Sequence, residues 1–149
     1  MTLLRPLICR GIALKDVPGI FRLCHELGYE PHQMGFGDRI ADIIKRPGNA
    51  VFVAADAEDV LVGFVHVFIR HAIEIKPFAQ IQALVVDKAA RRHGAARLLM
   101  GAAEEWARAE GIHGLSLYCS SHRDAAHDFY SAQGFDAVIT ATRFNKNLD

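Results

Sequence analysis

A cluster of basic side chains stands directly before a run of small residues in the middle of the chain. A predicted strand leads through this basic loop into a predicted helix, and the small residues Gly94, Ala95 and Ala96 lie where that helix begins. The first turn of a helix leaves backbone N–H groups unpaired and carries the positive end of the helix dipole. Small residues let an anion approach that backbone closely, so the pattern predicts a pyrophosphate site. The basic residues that surround it are Lys88, Arg91, Arg92, His93 and Arg97.

The two best-known phosphate loops are excluded by sequence. The chain contains neither G-x-x-x-x-G-K-[ST], the P-loop pattern, nor G-x-G-x-x-G, the dinucleotide-binding fingerprint. What remains is Arg91-x-x-Gly94-x-Ala96, a pattern short enough to occur by chance. Taken alone, it leaves open that the basic side chains are simply solvated.

A second motif lies nearer the C-terminus. Ser121 and Asp124 form an S-x-x-D capping pattern, and the helix behind them carries Tyr130 before ending at Gly134-Phe135. Taken alone, this motif is typical of packed aromatic rings and an ordinary helix end.

The elements that must position both motifs alternate between strands and helices. Their order is β-α-α-β-β-β-α-β-α-β(-β), which predicts a mixed α+β fold. The 60–69 strand is apolar on both faces and is expected to be central. We expect Asp16 to cap the first helix. The apolar face of the third helix is predicted to consist of Ala95, Leu98, Leu99, Ala102, Trp106 and Ala109. The predicted strands are 3–9, 50–55, 60–69, 78–86 and 115–119, with one or two after residue 135, and the predicted helices are 17–27, 38–45, 95–110 and 124–133.

Composition narrows the function classes. The 149 residues carry 17 Lys+Arg against 17 Asp+Glu, and 51% are hydrophobic. This predicts one globular domain over residues 1–149, and the zero net charge argues against sequence-blind nucleic-acid binding. No apolar run is long enough to span a membrane, and the first residues do not resemble a signal peptide. Three scattered cysteines, Cys9, Cys24 and Cys119, are typical of reduced thiols in a cytoplasmic protein.

In this order and on these elements, the two motifs resemble those of the GCN5-related N-acetyltransferase (GNAT) superfamily. Arg91-x-x-Gly94-x-Ala96 resembles its acetyl-CoA loop, and 121–135 resembles its second motif, which ends in a Tyr and a Gly-Phe. The resemblance covers about residues 51–135 and is loose over 1–50, which vary with the acceptor in this superfamily. It implies a mixed sheet with helices on both faces, splayed between the 78–86 and 115–119 strands.

The resemblance also implies acetyl-CoA as co-substrate. Pantetheine would lie in the splay against the backbone of 84–86, and the pyrophosphate would bind the amides of 92–97. Arg123 stands where many members have Asn, so it is open whether it contacts the cofactor or bridges to Asp124 or Asp128. The residues assigned to the cofactor are Leu84, Val85, Val86, Arg91, Arg92, His93, Gly94, Ala95, Ala96, Arg97, Ser121 and Arg123.

For the chemistry, the resemblance implies direct attack of an amine on the acetyl thioester, with Tyr130 as general acid. A tyrosine with an ordinary pKa near ~10 is protonated at pH 7, as this role requires. The backbone N–H of Val86 is the expected oxyanion donor. Many members use a Glu as general base, but this chain has Gln80 and Gln82. Since an amide takes up no proton near neutral pH, Gln82 is expected to position a water or the amine.

Two other side chains are weaker candidates for the base. Glu74, in the loop after the central strand, is best explained as a solvated charge. His66 alternates with Val62, Phe64 and Phe68 on one strand face, and a core histidine is the favoured interpretation. A base-free or water-relayed reaction is preferred over either.

The spacing of the remaining candidates predicts no metal site and no cysteine nucleophile. The pairs His66/His71 and His122/His127 are each five residues apart, which separates the rings on a strand or a helix. No H-E-x-x-H or C-x-x-C pattern supports zinc. Cys119 has no His-Asp pairing in the sequence, so a buried structural thiol is favoured.

Residues 28–46 are expected to flank the acceptor. Carboxylates beside aromatic rings suit a small cationic amine, although ordinary surface charge explains them equally well. A small-molecule amine is the preferred acceptor, and protein N-termini or lysine side chains stay open. No nucleic-acid or membrane partner is expected, and the superfamily allows a homodimer. The residues concerned are Tyr29, Glu30, Phe36, Asp38 and Asp42, with Glu74 beside them.

Two alternatives to an active acyltransferase stay open. The absence of the usual Glu allows a catalytically idle acyl-CoA-binding or sensing module. The basic loop 91–97 also allows an enzyme that acts on a different phosphate ligand, such as a nucleotide.

Overall fold

The computed structural model describes residues 6–26, 28, 35–119 and 124–149. The chain divides into two compact units, Met1–Leu117 and Tyr118–Asp149. The first unit contains a five-stranded mixed sheet with helices packed on it, which confirms the predicted α+β class. Its strands are β1 (Ile8–Gly11), β2 (Asn49–Ala55), β3 (Leu61–Arg70), β4 (Phe78–Val86) and β5 (Leu115–Leu117), and its helices are α1 (Val17–Glu26), α2 (Phe36–Lys45) and α3 (Ala95–Ala109).

The sheet has the order β1-β2-β3-β4-β5. The first four strands pair antiparallel with their sequence neighbours, whereas β5 joins β4 in parallel after the chain has passed through α3. β3 lies in the middle and is buried from Leu61 to Val65. The apolar pattern on both of its faces correctly predicted this central position.

The sheet opens between β4 and β5. Pairing joins Ala79 to Leu115 and ends with Ile81 opposite Leu117, while β4 continues to Val86. Within the described part of the chain, the last five residues of β4 have no strand partner on that side. This is the predicted splay, and it leaves backbone hydrogen-bonding groups of β4 exposed to a ligand.

Helices cover both faces of the sheet. Ile20 and Leu23 of α1 and Ile40 of α2 pack with Phe64 and Val85 on one face. On the other face α3 buries Leu99, Met100 and Ala103. Gly63 explains how closely α3 approaches, because a Cβ there would lie 2.7 Å from the Val85 carbonyl oxygen and 3.1 Å from Leu99. The core therefore consists of two apolar layers that hold β3 and β4 between them.

The predicted buried face of α3 is wrong in part. Leu98 is 41% exposed, and with Ala102 and Trp106 it lines a groove beside β1. Ala95 and Leu99 are buried as predicted. Met100, Ala103 and Ala107 are buried as well, and the small alanine side chains let the helix lie close to the strands. The sequence indicated that α3 has an apolar face, but it did not indicate which of the apolar side chains pack against the sheet.

The start of the chain also differs from the prediction. β1 begins at Ile8, whereas the predicted strand began at residue 3. Residues 1–5 lie outside the described part of the chain. Asp16 does not cap α1, because it closes a 3-10 turn (Leu14–Asp16) instead. Its carboxylate accepts hydrogen bonds from the Ala13 N–H at 2.8 Å and from both terminal nitrogens of Arg10 at 2.8 Å.

The second unit contains α4 (Asp124–Ala132). The helix ends as predicted at Gly134, whose φ is +93°. Two hydrogen bonds close the end, from the Gly134 N–H to the Ser131 oxygen and from the Phe135 N–H to the Tyr130 oxygen. The Tyr130 and Phe135 rings lie 6.0 Å apart, so the helix stop and the aromatic contact form one motif.

No strand forms after Phe135, and the prediction of one or two was wrong. Val138 and Ile139 have high strand propensity, but a strand also needs a neighbour for its backbone groups. In the described residues 135–149 no such pairing occurs, and Val138 is 84% exposed.

Among the helices of the described residues, none is long and apolar enough to cross a membrane.

Candidate active site

The basic loop leaves the sheet at a buried aspartate. Asp87 follows β4, and its N–H donates to the Val62 carbonyl at 2.8 Å. The residue is 7% exposed, and its carboxylate accepts from the Ala89 N–H at 2.9 Å and from Arg22 of α1 at 3.1 Å. Arg22 also donates to the Leu61 carbonyl at 2.7 Å. The start of the loop is therefore fixed by three elements at once.

Sequence reasoning missed both Asp87 and Arg22 as positioning residues. Asp87 was visible only as an acidic residue after a strand. Arg22 lies 65 positions away along the chain, and no local pattern could connect the two.

The loop backbone passes through the left-handed region twice. Arg92 has φ +67° and Gly94 has φ +88°. For a residue other than glycine this conformation costs about 1–2 kcal/mol, so the loop holds Arg92 in a strained state. Strained backbone of this kind often accompanies a ligand-binding loop.

Gly94 is the N-cap of α3 and provides no side-chain oxygen to cap the helix. The first hydrogen bond of the helix runs from the Leu98 N–H to the Gly94 oxygen at 3.1 Å. The N–H groups of Ala95, Ala96 and Arg97 thus have no acceptor within the helix. A Cβ at Gly94 would meet no atom within 4 Å, so the space beside these donors is open.

The electrostatics of this helix end favour an anion. No acidic residue occurs in the first turn of α3, so the positive end of its dipole is not neutralised there. Arg91, Arg92, His93 and Arg97 are all exposed around it. The structure brings the loop residues predicted from the sequence together at an exposed helix N-terminus, a feature that favours anions in general.

The open edge of β4 presents selected backbone groups. In an antiparallel pair, alternate residues direct their N–H and C=O toward the same neighbour. The Asp87 N–H bonds Val62 on β3, and the Val85 oxygen lies against Gly63 on β3. Leu84 and Val86 therefore direct their backbone groups away from β3, toward the open side. The Val86 N–H, the expected oxyanion donor, is one of these groups that point away from β3.

A β-bulge lies at the point where the sheet opens. His66 pairs with Ala83 and Val67 with Ile81, so Gln82 is an extra residue in β4. A bulge bends its strand and re-aims the side chains beside it. Gln82 is exposed at this bend, immediately after the last residue paired with β5. The other candidate, Gln80, accepts a hydrogen bond at its Oε1 from Arg70 at 3.4 Å.

His66 is half-buried in the central strand. Its Nε2 lies 3.0 Å from the Asn49 Oδ1 of β2, and burial lowers the pKa of the imidazole. The ring is therefore neutral at pH 7. Glu74 is an exposed loop residue, as the sequence indicated.

The residues that were predicted to flank the acceptor lie in different environments. Phe36 is a core residue, 9% exposed, with its ring 5.3 Å from that of Phe21. Asp42 pairs with Arg46 at 2.8 Å on the surface of α2, and Asp38 is exposed. The other two nominated residues, Tyr29 and Glu30, lie outside the described residues.

The second motif is described in part. Tyr130 lies in α4, with its ring 5.5 Å from that of Phe129. Ser121 and Arg123 lie outside the described residues. Cys119 follows β5 by two residues, and none of the three cysteines forms a disulfide.

Comparison with known proteins identifies the family. The acetyltransferase (GNAT) family matches residues 16–135, which include the open edge, the basic loop and the Tyr130 helix. The chain belongs to this family. Acetyl transfer is accordingly the general activity that the family and the fold support, and acetyl-CoA is the acetyl donor that the GNAT family uses.

Solved structures share the fold over nearly the whole chain. The structure of AAC(6')-Iy in complex with the bisubstrate analog CoA-S-monomethyl-acetylneamine matches with TM-score 0.86 and 19% identity, covering 96% of this chain and 99% of that one. The aminoglycoside antibiotic 6'-N-acetyltransferase AAC(6')-Ih from Acinetobacter baumannii matches with TM-score 0.82 and 18% identity over 97% and 100%. A transcriptional regulator from Bacillus halodurans C-125 matches with TM-score 0.82 and 23% identity over 95% and 100%. No curated protein matches the sequence significantly. At these identities the structural likeness shows the GNAT fold and leaves the acceptor open.

Proposed function

We propose that this protein is an acetyl-CoA-dependent N-acetyltransferase that acts on a primary amine of a small molecule. The observation that carries the proposal is the uncapped, exposed N-terminus of α3 at Gly94, in a chain of the GNAT family. Its free N–H groups and the surrounding guanidinium groups match the two negative charges of a pyrophosphate.

Each part of the site then has a distinct task. The N–H groups of residues 95–97 hold the pyrophosphate, with help from the side chains of Arg91, Arg92 and Arg97. The backbone groups of Leu84 and Val86 hold the pantetheine arm in the splay. The Val86 N–H also stabilises the oxyanion that forms when the amine attacks, because a preorganised donor is most valuable where charge develops. Acetyl-CoA supplies the activated acetyl group as a thioester.

Tyr130 is the proposed general acid for the leaving thiolate. Replacing Tyr130 by Phe keeps the ring contacts with Phe129 and Phe135 but removes the hydroxyl proton. We expect kcat to fall by about tenfold or more, while the affinity for acetyl-CoA stays unchanged. Steady-state kinetics with the matched variant Tyr118→Phe, which loses an exposed hydroxyl, provide the control. A Tyr130→Phe enzyme with full kcat would remove this assignment.

Two observations support a small cationic amine as acceptor. Asp38 presents an exposed carboxylate at the start of α2. Fold relatives include proteins named as aminoglycoside 6'-N-acetyltransferases. We place the reaction in the cytoplasm, where the three cysteines stay reduced.

A second candidate is an idle acyl-CoA-binding or sensing module. It is favoured by Gln82, an amide that cannot accept a proton, at the bulge beside the open edge. One fold relative is named a transcriptional regulator, so the fold is not restricted to proteins named as acetyltransferases.

Calorimetric titration with acetyl-CoA, with CoA and ATP as controls, tests the proposal and is followed by assays of CoA release with a panel of amines. Micromolar binding with amine-dependent CoA release supports the transferase. Binding without turnover on any amine favours the idle module. If folded protein binds ATP but neither CoA form, the acetyltransferase proposal fails and a nucleotide ligand replaces it.

A further inference from the structure

A histidine on the central strand lies level with the bulge. His66 of β3 is directly opposite Ala83 of β4 and Val51 of β2, and residues directly opposite share one face of the sheet. Val51 and Ala83 both pack against the α1/α2 core cluster, which places His66 between them on that face. Gln82, the extra residue of β4, is next to Ala83. The imidazole is thus one strand away from the place where the sheet opens.

The contacts of Asn49 determine which nitrogen of His66 carries the hydrogen. The Asn49 Nδ2 lies 3.5 Å from the Pro47 carbonyl and donates to it, which turns the amide oxygen toward His66. An amide oxygen can only accept, so the His66 Nε2 carries the hydrogen and donates it at 3.0 Å. In a neutral imidazole the other nitrogen, Nδ1, then has the free lone pair. His66 is held in the tautomer that can accept a proton at Nδ1.

This Nδ1 is the unprotonated nitrogen. The His66 side chain is half-buried, and its hydrogen bond to Asn49 engages Nε2, so Nδ1 is the nitrogen left to take up a proton. Burial is the cause of the lowered pKa of His66, and no charged group on the strands and helices described around it contributes. The nearest cation along β3, Arg70, is held by Gln80 and by the Phe78 ring.

We propose that His66 is the general base, taking the proton of the acceptor amine at Nδ1 directly or through one water, with Asn49 as its positioning residue. The inference rests on the proposed acetyl transfer. The neutral amine nitrogen forms a bond to the thioester carbonyl carbon, and the attacking nitrogen loses one proton to Nδ1. The C–S bond then breaks, and the sulfur leaves with the electron pair and takes a proton from the general acid, Tyr130. His66 returns its proton to water and the tyrosinate takes one back, so an amide and free CoA are the only products.

His66 performs the step that Gln80 and Gln82 cannot. A positioned base typically contributes a factor of about 10²–10⁴, and it works best when it is unprotonated at the working pH. The neutral state of His66 at pH 7 meets this condition, whereas an amide never does.

The first test measures the wild-type protein by NMR. We expect nitrogen chemical shifts of His66 that report a hydrogen on Nε2, and a pKa below the ordinary histidine value near ~6.5. A hydrogen on Nδ1, or a pKa at or above that value, overturns the proposal without any need for activity.

The second test compares variants by their pH–rate profiles. His66→Gln should lower kcat/KM by about 100-fold at pH 7, with a smaller deficit at high pH, where hydroxide can take the proton from the attacking nitrogen instead. Asn49→Asp places a carboxylate opposite the Nε2–H, which favours the imidazolium and should shift the acidic limb of the profile upward by about one pH unit. A merely structural histidine would leave that limb unchanged. His71→Gln, at an exposed histidine just beyond β3, is the matched control and should behave as wild type.

The outcomes separate this inference from the proposed function. Wild-type turnover combined with unchanged profiles in both variants overturns the role of His66 alone. Failure of the wild type to bind acetyl-CoA, or to acetylate any amine, overturns both. If His66→Gln does not fold, the acidic limb of the pH–rate profile of Asn49→Asp decides whether His66 is the general base.

Discussion

Replacing Gly94 by valine is expected to weaken acetyl-CoA binding by about 100-fold or more. A branched side chain at the N-cap of α3 would occupy the open space beside the free N–H groups of residues 95–97. Valine also disfavours the φ of +88° that the loop adopts there. Loss of two charge-assisted hydrogen bonds at about 1.5 kcal/mol each corresponds to about a 100-fold loss of affinity.

Gly111 provides the matched control for this prediction. It has φ +76° just after the other end of α3, and a Cβ there also meets no atom within 4 Å. Gly111→Val therefore introduces the same kind of backbone strain without approaching the basic loop. Calorimetry should show normal affinity for Gly111→Val and a large loss for Gly94→Val. Equal affinity in both variants would contradict a pyrophosphate site at this helix end.

Local signals made the loop predictable from the sequence. The strand before it, the basic residues and the small residues at the start of α3 are all neighbours in the chain. Gly94 and Gly134 were both identified as helix ends, and both have positive φ. Such features depend on backbone conformation over a few residues, which the sequence specifies directly.

Features that depend on pairing between distant segments were not predictable. The bulge at Gln82 results from a one-residue mismatch between β3 and β4, and neither strand shows it alone. Arg22 reaches Asp87 from another element, and Asn49 reaches His66 across 17 positions. For the same reason His66 looked like an ordinary core residue until its hydrogen-bond partner was known.

The prediction of strands after Phe135 was wrong because it relied on local propensity alone. Val138 and Ile139 have the residue types of a strand, and propensity alone predicted one. Strand formation is decided by a partner, and in the described residues 135–149 none is present. In this chain the local sequence therefore predicted the glycine helix ends correctly, but it predicted the sheet edges poorly.

The ion pair between Arg10 and Asp16 gives the largest expected effect on stability. Asp16 is 4% exposed and accepts two hydrogen bonds from Arg10 and one from the Ala13 N–H. Asp16→Asn leaves the guanidinium facing an amide that has one acceptor and its own N–H donors. Asp16 is buried, but the Arg10 side chain is 26% exposed and keeps its ion pair with Asp59 at 3.0 Å, so we expect a loss of about 2 kcal/mol in urea unfolding at pH 7.

Asp42→Asn is the control for a charge change alone. Asp42 pairs with Arg46 on the exposed surface of α2, where such pairs contribute about 0.5 kcal/mol or less. Adding Arg10→Met to Asp16→Asn should recover part of the loss, because no guanidinium then faces the amide that replaces the Asp16 carboxylate. If both aspartate variants cost the same small amount, the network around Asp16 does not hold β1 to the 3-10 turn.

The same pair predicts how stability depends on pH. Hydrogen bonds from Arg10 hold the pKa of Asp16 below its usual range. The carboxylate therefore contributes its full stabilisation above the unfolded-state value near ~3.9, and this contribution is lost as the pH falls through the lower folded-state pKa. Wild-type protein should lose more stability than Asp16→Asn between pH 7 and about pH 3, so the two unfolding curves converge in acid. Parallel curves would mean that Asp16 is ionised equally easily in the folded and unfolded chain, which is incompatible with a carboxylate held by Arg10.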